Sequence, residues 1–237
     1  MKQLELTPRL LAAAQLVPPG AAVADIGTDH AYLPVWLLRQ GRVRRAIAAD
    51  LREGPLERAQ LTAKEYDCGE NISFRLCDGL TDICPDEVNC IVIAGMGGET
   101  IAAILQAAPW IQDAHYTLIL QPMSAQSDLR RWLWQQGFSI ETEHLVSEGD
   151  KLYTLIKARF GAVTPMTLGE EWVGRQTPEL DQPLRGELFR RLLNKTARAI
   201  DGISRGKGED SRARLDELEQ LQAELTQMKQ EWEQWHR

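Results

Sequence analysis

The stretch Ala22-Val23-Ala24-Asp25-Ile26-Gly27-Thr28-Asp29-His30 decides the fold. Its apolar run closes on a glycine, the pattern of a strand buried on both faces and ended by a sharp turn. Gly27 can bring the backbone close to a ligand, because no Cβ intervenes. Outward from it the same unit repeats. A helix over 31–40, closed by Gly41, leads to a second buried run, Ala46-Ile47-Ala48-Ala49-Asp50. A helix from Pro55 to Tyr66 and a strand over 72–77 follow, ending at Asp78-Gly79. Val88 to Ala94 is another apolar run ending in glycines, followed by helical spacing from Glu99 to Ala107. Thr117 to Leu120 reads as a strand cut off by Gln121-Pro122, and a helix over Asp128 to Gln136 stops at Gly137. Phe138–Val146 and Tyr153–Ala158 read as a closing antiparallel pair. Strands alternating with helices across short connections predict an α/β domain with a mostly parallel, doubly wound sheet.

Beyond Gly161 the composition changes, which predicts two domains over 1–161 and 162–237. Thr164-Pro165 opens a linker-like stretch. Leu188, Leu192, Leu193, Ala197 and Ile200 lie along one side of a helix, and Gly202, Gly206 and Gly208 break it. Leu218, Leu221, Leu225, Met228, Trp232 and Trp235 then follow the spacing of a coiled-coil seam, so an antiparallel helical hairpin is expected.

Hydrophobic residues make up 43% of the 237, and charged residues 26%. That balance excludes wholesale disorder and collagen-like repeats. No apolar run approaches the ~20 residues of a membrane span, and the N-terminus lacks a secretory layout, so a cytoplasmic protein is expected. Cys68, Cys77, Cys84 and Cys90 form no C-x-x-C pair and have no paired histidines, so they read as reduced thiols and no metal is expected. The net charge of −7 would disfavour a nucleic-acid partner if spread evenly. It is not spread evenly. Arg39, Arg42, Arg44 and Arg45 cluster around one turn, and Arg130-Arg131 lies on a late helix. Arg185, Arg190, Arg191, Lys195, Arg198, Arg205 and Lys207 line the first hairpin helix and its loop, whereas the last helix is acidic. These charges read either as complementary helices or as a phosphate-gripping arm.

In an open parallel sheet, ligands bind beyond the C-terminal strand ends, where strand order reverses. The predicted strands deliver there Asp25 through His30, then Asp50-Leu51, Asp78-Gly79, Ala94-Gly95-Met96-Gly97-Gly98 and Gln121-Pro122. Asp50 falls 25 positions after Asp25, near the spacing at which a carboxylate meets a ribose. Asp78 suits an adenine amine. Asp29 and Ala31 stand where a dinucleotide fingerprint demands glycines, and carboxylates repel a pyrophosphate. S-adenosylmethionine carries no phosphate, and its cationic groups favour neighbouring carboxylates. The expected cofactor contacts are therefore Asp25, Gly27, Thr28, Asp29, Asp50, Leu51, Asp78, Gly79, Ala94 and Gly95. Asp29, His30, Gly95, Met96 and Gln121 are the candidate catalytic residues. Met96 would be a soft stacking surface, and His30 a bonding or stacking partner that reads equally as a capping histidine. Gln121 would bond the base or hold its loop.

The strings Asp25 to Pro34, Ile93-Ala94-Gly95-Met96-Gly97-Gly98 and Leu118 to Pro122 together resemble the TrmK-type tRNA (adenine-22-N1)-methyltransferase family. Leu6-Thr7-Pro8-Arg9-Leu10 and Lys151-Leu152-Tyr153 fit it too, and the resemblance spans Leu4 to Lys157. It implies a class I (Rossmann-like) methyltransferase fold, S-adenosyl-L-methionine as cofactor, and methylation of N1 of an adenine in the D-arm region of tRNA. Thr28 stands where the family usually has Ser, keeping the hydroxyl; Met123 replaces a common Asn and removes a polar group. With tRNA as partner, Arg9, Arg130, Arg131, Arg190, Arg191, Lys195 and Arg198 are the candidate RNA contacts. Two other readings are a methyltransferase for a small molecule or protein, and a non-catalytic coiled-coil scaffold.

Overall fold

The structure is a computed structural model that describes residues 4–180, 182–203 and 209–236. Seven strands form one sheet: β1 (Ala21–Ile26), β2 (Val43–Asp50), β3 (Ile72–Leu76), β4 (Cys90–Met96), β5 (Thr117–Pro122), β6 (Phe138–Glu148) and β7 (Lys151–Phe160). Their order is β3-β2-β1-β4-β5-β7-β6. All pairs are parallel except those made by β7, which runs antiparallel to β5 and β6. Strand order reverses between β1 and β4, so the crevice expected to hold a ligand opens beyond their ends.

Alternation along the strands builds the two faces. Ile91 and Ile93 of β4 and Leu118 and Leu120 of β5 pack under α4 (Gly98–Gln106) and α5 (Gln126–Gln135), against Ile101, Leu105, Leu129 and Leu133. Cys90, Val92 and Ile119 point the other way, beneath α1 (Pro8–Leu16) and α2 (Tyr32–Arg39). Alanines 46 and 48 of β2 let α3 (Glu53–Glu65) approach closely through Ala59 and Ala63. Each fully buried Leu or Ile contributes roughly 1.5–3 kcal/mol of transfer free energy.

Two expectations change. β5 does not stop before Gln121 but runs through Pro122, whose partner is Met96; no ladder donor is lost where the strand ends. The chain ahead of β1 holds the helix α1, whose Thr7 side chain accepts from Leu10 N and whose first residue is Pro8, a start signal the apolar periodicity did not reveal.

The basic turn from Arg39 to Arg45 serves loops at the far edge of the sheet. Arg42 donates to Gln15 and Val17 carbonyls, Arg44 to Gly20, and Arg45 to Asp86. Arg130 is also not a surface cation. It is about 1% exposed, and its Nε bonds Glu143 of β6 at 2.8 Å. It lies on the buried face of α5 with Leu129 and Leu133, where RNA has no access.

The chain divides into two compact units, one ending at Thr164 and the next beginning at Pro165. The second holds α6 (Leu168–Val173), α7 (Arg185–Ile203) and α8 (Glu209–Trp235). The supposed linker contains α6, closed by a capping box between Thr167 and Glu170. A Cβ on Gly186, at the start of α7, would meet the Trp232 ring near the end of α8, so these helices run antiparallel. Leu218, Leu221 and Leu225 are buried against Phe189 and Val173, while Met228 and Trp232 are partly covered. Trp235 is exposed, as is Ala197; Phe189, not Ala197, is the buried anchor of α7. Arg185 is likewise buried, donating to the carbonyls of Val173 and Gly174. The breaker Gly206, Gly208 and the cations Arg205 and Lys207 lie outside the described residues.

Candidate active site

Beyond the ends of β1, β2 and β3 lies a cavity of about 390 Å³. Its wall includes Gly27, Asp50, Leu51, Asp78, Gly79 and Met96, and the sequence expectation also placed these six at a site. Arg52, Cys77, Leu80, Thr81, Thr100 and Ile104 complete much of the lining and went unnoticed, because cavity-facing residues on α4 and in the turn after β3 carry no motif. The volume falls within the range of small-ligand pockets, which are mostly apolar with a few placed polar groups.

Asp50 is the placed polar group at the end of β2. Its Oδ1 accepts the Arg52 backbone N–H at 2.8 Å, an Asx turn that fixes the carboxylate while the side chain stays only 8% exposed. Among the described residues its second oxygen has no hydrogen-bond partner, and it lies on the cavity wall.

The backbone around Gly27 has φ +75°, and a Cβ there would collide with Cε of Met96. Met96 reaches this position by a slip in register. Between Ala94 and Met96 the pairing of β4 with β5 shifts, at Gly95 with φ +85°. Ala94 packs with Val92 on the α1 and α2 face, whereas Met96 joins Ile91 and Ile93 on the other. Such a bulge re-aims one side chain. Met96, expected on an acceptor surface, thus stands on the cavity wall, and Ala94 and Gly95 are absent from that wall.

Asp25 and Thr28 also stay off the cavity wall. Asp25 is buried at the end of β1, and the Thr28 hydroxyl bonds both its carboxylate and the N–H of Ala31, at 3.1 Å in the latter case. Ala31 takes a left-handed φ of 54°, a conformation costing an L-residue about 1–2 kcal/mol, and Thr28 supports it. Burial pushes the Asp25 carboxyl up to about 6; the Thr28 hydrogen bond opposes this and the Asp50 charge adds to it. The folded value lies above that of an unfolded aspartate, so the protonated acid favours the fold. Its contribution is complete below about pH 4 and disappears as pH rises through about 6, a difference of about 3 kcal/mol. Chemical denaturation at pH 4 and pH 7 is expected to show wild-type stability falling by about this amount relative to Asp25→Asn. Parallel pH profiles would refute the assignment.

Asp29 points away from the cavity, to an ion pair with Arg58 of α3, which holds its carboxyl below the usual range. His30 lies 3.6 Å from Asp29 and stacks flat on Tyr32, centroids 5.0 Å apart and planes 2° from parallel. This aromatic pair is partly in solvent, and neither ring lines the cavity.

Gln121 is fully buried. Its Oε1 accepts from Gly95 N at 3.1 Å and from Arg9 at 2.7 Å, and its Nε2 donates to Pro122 O at 3.0 Å. Met123 N donates to Met96 O at 2.8 Å, and Gly98 N to Ser124 O at 2.9 Å. A Cβ on Gly98 would strike the backbone of Ala125, so only glycine admits this approach. The loops after β4 and β5 are one doubled, backbone-bonded unit, and Gln121 holds it together.

A model of the methyltransferase-domain family matches residues 6–156. Over 161 residues, 68% of each chain, the sequence is 37% identical to the tRNA (adenine(22)-N(1))-methyltransferase of Bacillus subtilis (strain 168). The chain belongs to the TrmK-type tRNA (adenine-22-N1)-methyltransferase family. The crystal structure of the B. subtilis M1A22 tRNA methyltransferase TrmK superimposes with a TM-score of 0.86 at 29% identity, over 95% of this chain and 99% of that one. A Streptococcus pneumoniae relative solved in complex with S-adenosyl-L-methionine superimposes at 0.78 and 29% identity, over 92% and 100%. The class I sheet order and the family's strings at Asp25–Pro34, Ile93–Gly98 and Leu118–Pro122 thus occur together at one edge of the TrmK-type domain.

Proposed function

We propose that this chain transfers the methyl group of S-adenosyl-L-methionine to N1 of adenine 22 in bacterial tRNA. The observation that carries the reading is the cavity at the strand-order reversal, with Asp50 fixed at its wall, in a chain of this family. Its residues suit the cofactor. Asp50 offers a carboxylate oxygen to ribose hydroxyls, Asp78 accepts from an exocyclic amine, and Leu51, Leu80 and Ile104 supply apolar walls for a purine. No cluster of amides and cations for a pyrophosphate is needed.

S-adenosyl-L-methionine supplies an electrophilic methyl group when bound. The chain's part is positioning and electrostatics. N1 of neutral adenine carries an in-plane lone pair, so no side chain must remove a proton before transfer. The base must leave its stack, and the partly exposed His30–Tyr32 pair offers it a flat surface. The Gly95–Gly98 loop presents small residues and backbone carbonyls toward an adenine edge, and those dipoles stabilise the cationic product ring. Gln121 acts as a positioning residue by keeping that loop in shape. Holding nucleophile and methyl in line contributes several kcal/mol.

Outside the crevice, Arg131, Arg190, Arg191, Lys195 and Arg198 are the RNA contacts we propose. Arg190 and Arg191 lean on Glu187, and Lys195 sits 5.2 Å from the Trp172 ring, arrangements that pre-order long side chains without removing their donors. A tRNA substrate places the protein in the cytoplasm; among the described residues no helix is long and apolar enough to cross a membrane. Purified protein incubated with unmodified tRNA and labelled methyl donor is expected to yield 1-methyladenosine, lost when adenine 22 is replaced. Label only in a small molecule or protein, or none, overturns the reading.

A further inference from the structure

Arg9 lies at the start of α1, where that helix meets the doubled loop. Its Nη1 donates to Gln121 Oε1 at 2.7 Å, the atom that also accepts from Gly95 N. Its guanidinium carbon stands 5.6 Å from the centroid of Tyr153 on β7. A Cβ on Gly95 would come within 3.5 Å of Nη1, so the guanidinium lies against bare loop backbone. Its own backbone N–H donates to Glu148 at 3.1 Å, which fixes the helix start to the end of β6.

Among the described residues the guanidinium has only neutral partners, an amide oxygen and an aromatic ring, and no carboxylate pairs with it. A half-buried cation is costly unless an anion meets it. Arginine has five N–H donors in a planar fork, and one is committed here. The rest suit two oxygens of a phosphate. The position is specific, beside the loop that faces the incoming base. A nucleotide swung out of its stem carries its own phosphates to that place.

We propose that Arg9 is a positioning residue that holds a backbone phosphate flanking the target adenosine, with Tyr153 behind the guanidinium and Gln121 fixing its angle. This rests on the tRNA-methyltransferase reading and adds to it one assigned contact. Because the same Gln121 oxygen holds Gly95, seating the phosphate and shaping the loop are coupled.

The test measures tRNA binding to the S-adenosylhomocysteine complex over a salt series, with steady-state kinetics alongside. Arg9→Gln is expected to raise KM for tRNA about tenfold or more, and to reduce the slope of log affinity against log salt by about 1, as loss of one phosphate contact does. Arg9→Lys is expected to restore the slope and only part of KM, since lysine keeps the charge but not the fork. S-adenosylhomocysteine affinity by calorimetry should stay within about twofold. A second measurement avoids any folding problem in the variants. tRNA carrying a neutral methylphosphonate at one of the two phosphates flanking adenine 22 should weaken wild-type binding as Arg9→Gln does, and the two changes together should add nothing. A wild-type salt slope in Arg9→Gln, or full additivity with both methylphosphonates, overturns the proposal. So does a change confined to kcat and cofactor affinity, which marks Arg9 as loop support only. Failure of the underlying reading differs, since the wild-type enzyme would then leave tRNA unmethylated.

Discussion

Asp50→Ala is expected to raise the dissociation constant for S-adenosylhomocysteine about 100-fold and to remove most methyl transfer at ordinary cofactor concentrations. Hydrogen bonds to a charged acceptor contribute roughly 1.5–3 kcal/mol each, and about 1.4 kcal/mol is tenfold. The carboxylate is already oriented by the Arg52 N–H, so little ordering opposes binding. Asp50→Asn keeps the oxygen that holds the turn and removes the charge, so it separates two effects. If charge matters, Asn loses affinity while thermal stability is retained; if only the turn matters, Asn binds normally. Calorimetry decides, and unchanged affinity in both variants would remove Asp50 from the site.

Arg130→Ala should destabilise the first unit by about 3–5 kcal/mol, because it leaves Glu143 charged and buried without its guanidinium. For a domain of this size that lowers Tm by about 10 °C. Replacing both residues together with Met and Leu, which fill similar space, should recover much of the loss. The salt dependence of tRNA binding should stay unchanged in the double variant. A reduced salt slope with intact stability would instead return Arg130 to the RNA surface.

The parallel sheet was legible because buried runs such as Ala22–Ile26 and Ile91–Ile93 carry their own signal, and glycines mark their ends. Asp50, Asp78 and Gly27 could be placed at one edge from topology alone, since strand ends converge there whatever the details. What escaped depends on tertiary neighbours. Arg130-Arg131 reads as one basic pair, yet a helix turn puts its members on different faces, and only β6 supplies the buried Glu143. The place of Met96 on the cavity wall was not readable, because alternation along the strand breaks at the Gly95 bulge, and a glycine in a strand does not announce whether it bulges. Gln121 had two possible duties in the sequence, and burial with four filled hydrogen bonds makes it a brace. For α1 and α6 the capping residues Thr7-Pro8 and Thr167–Glu170 were readable; short helices simply give periodicity too little length.

The doubled turn after β4 and β5 is stitched mainly through main-chain atoms, while the cavity wall is drawn chiefly from the turns after β1, β2 and β3 and from α4. Retooling which nucleobase is accepted and retaining the methyl source are therefore separable engineering tasks wherever Met96, which belongs to both the turn and the wall, is kept. The side chain at Ser124 can be diversified while its carbonyl keeps Gly98 in place and Met123, whose sulfur accepts from Gln121 Nε2, is retained, so a library there would explore new acceptors on an intact donor platform.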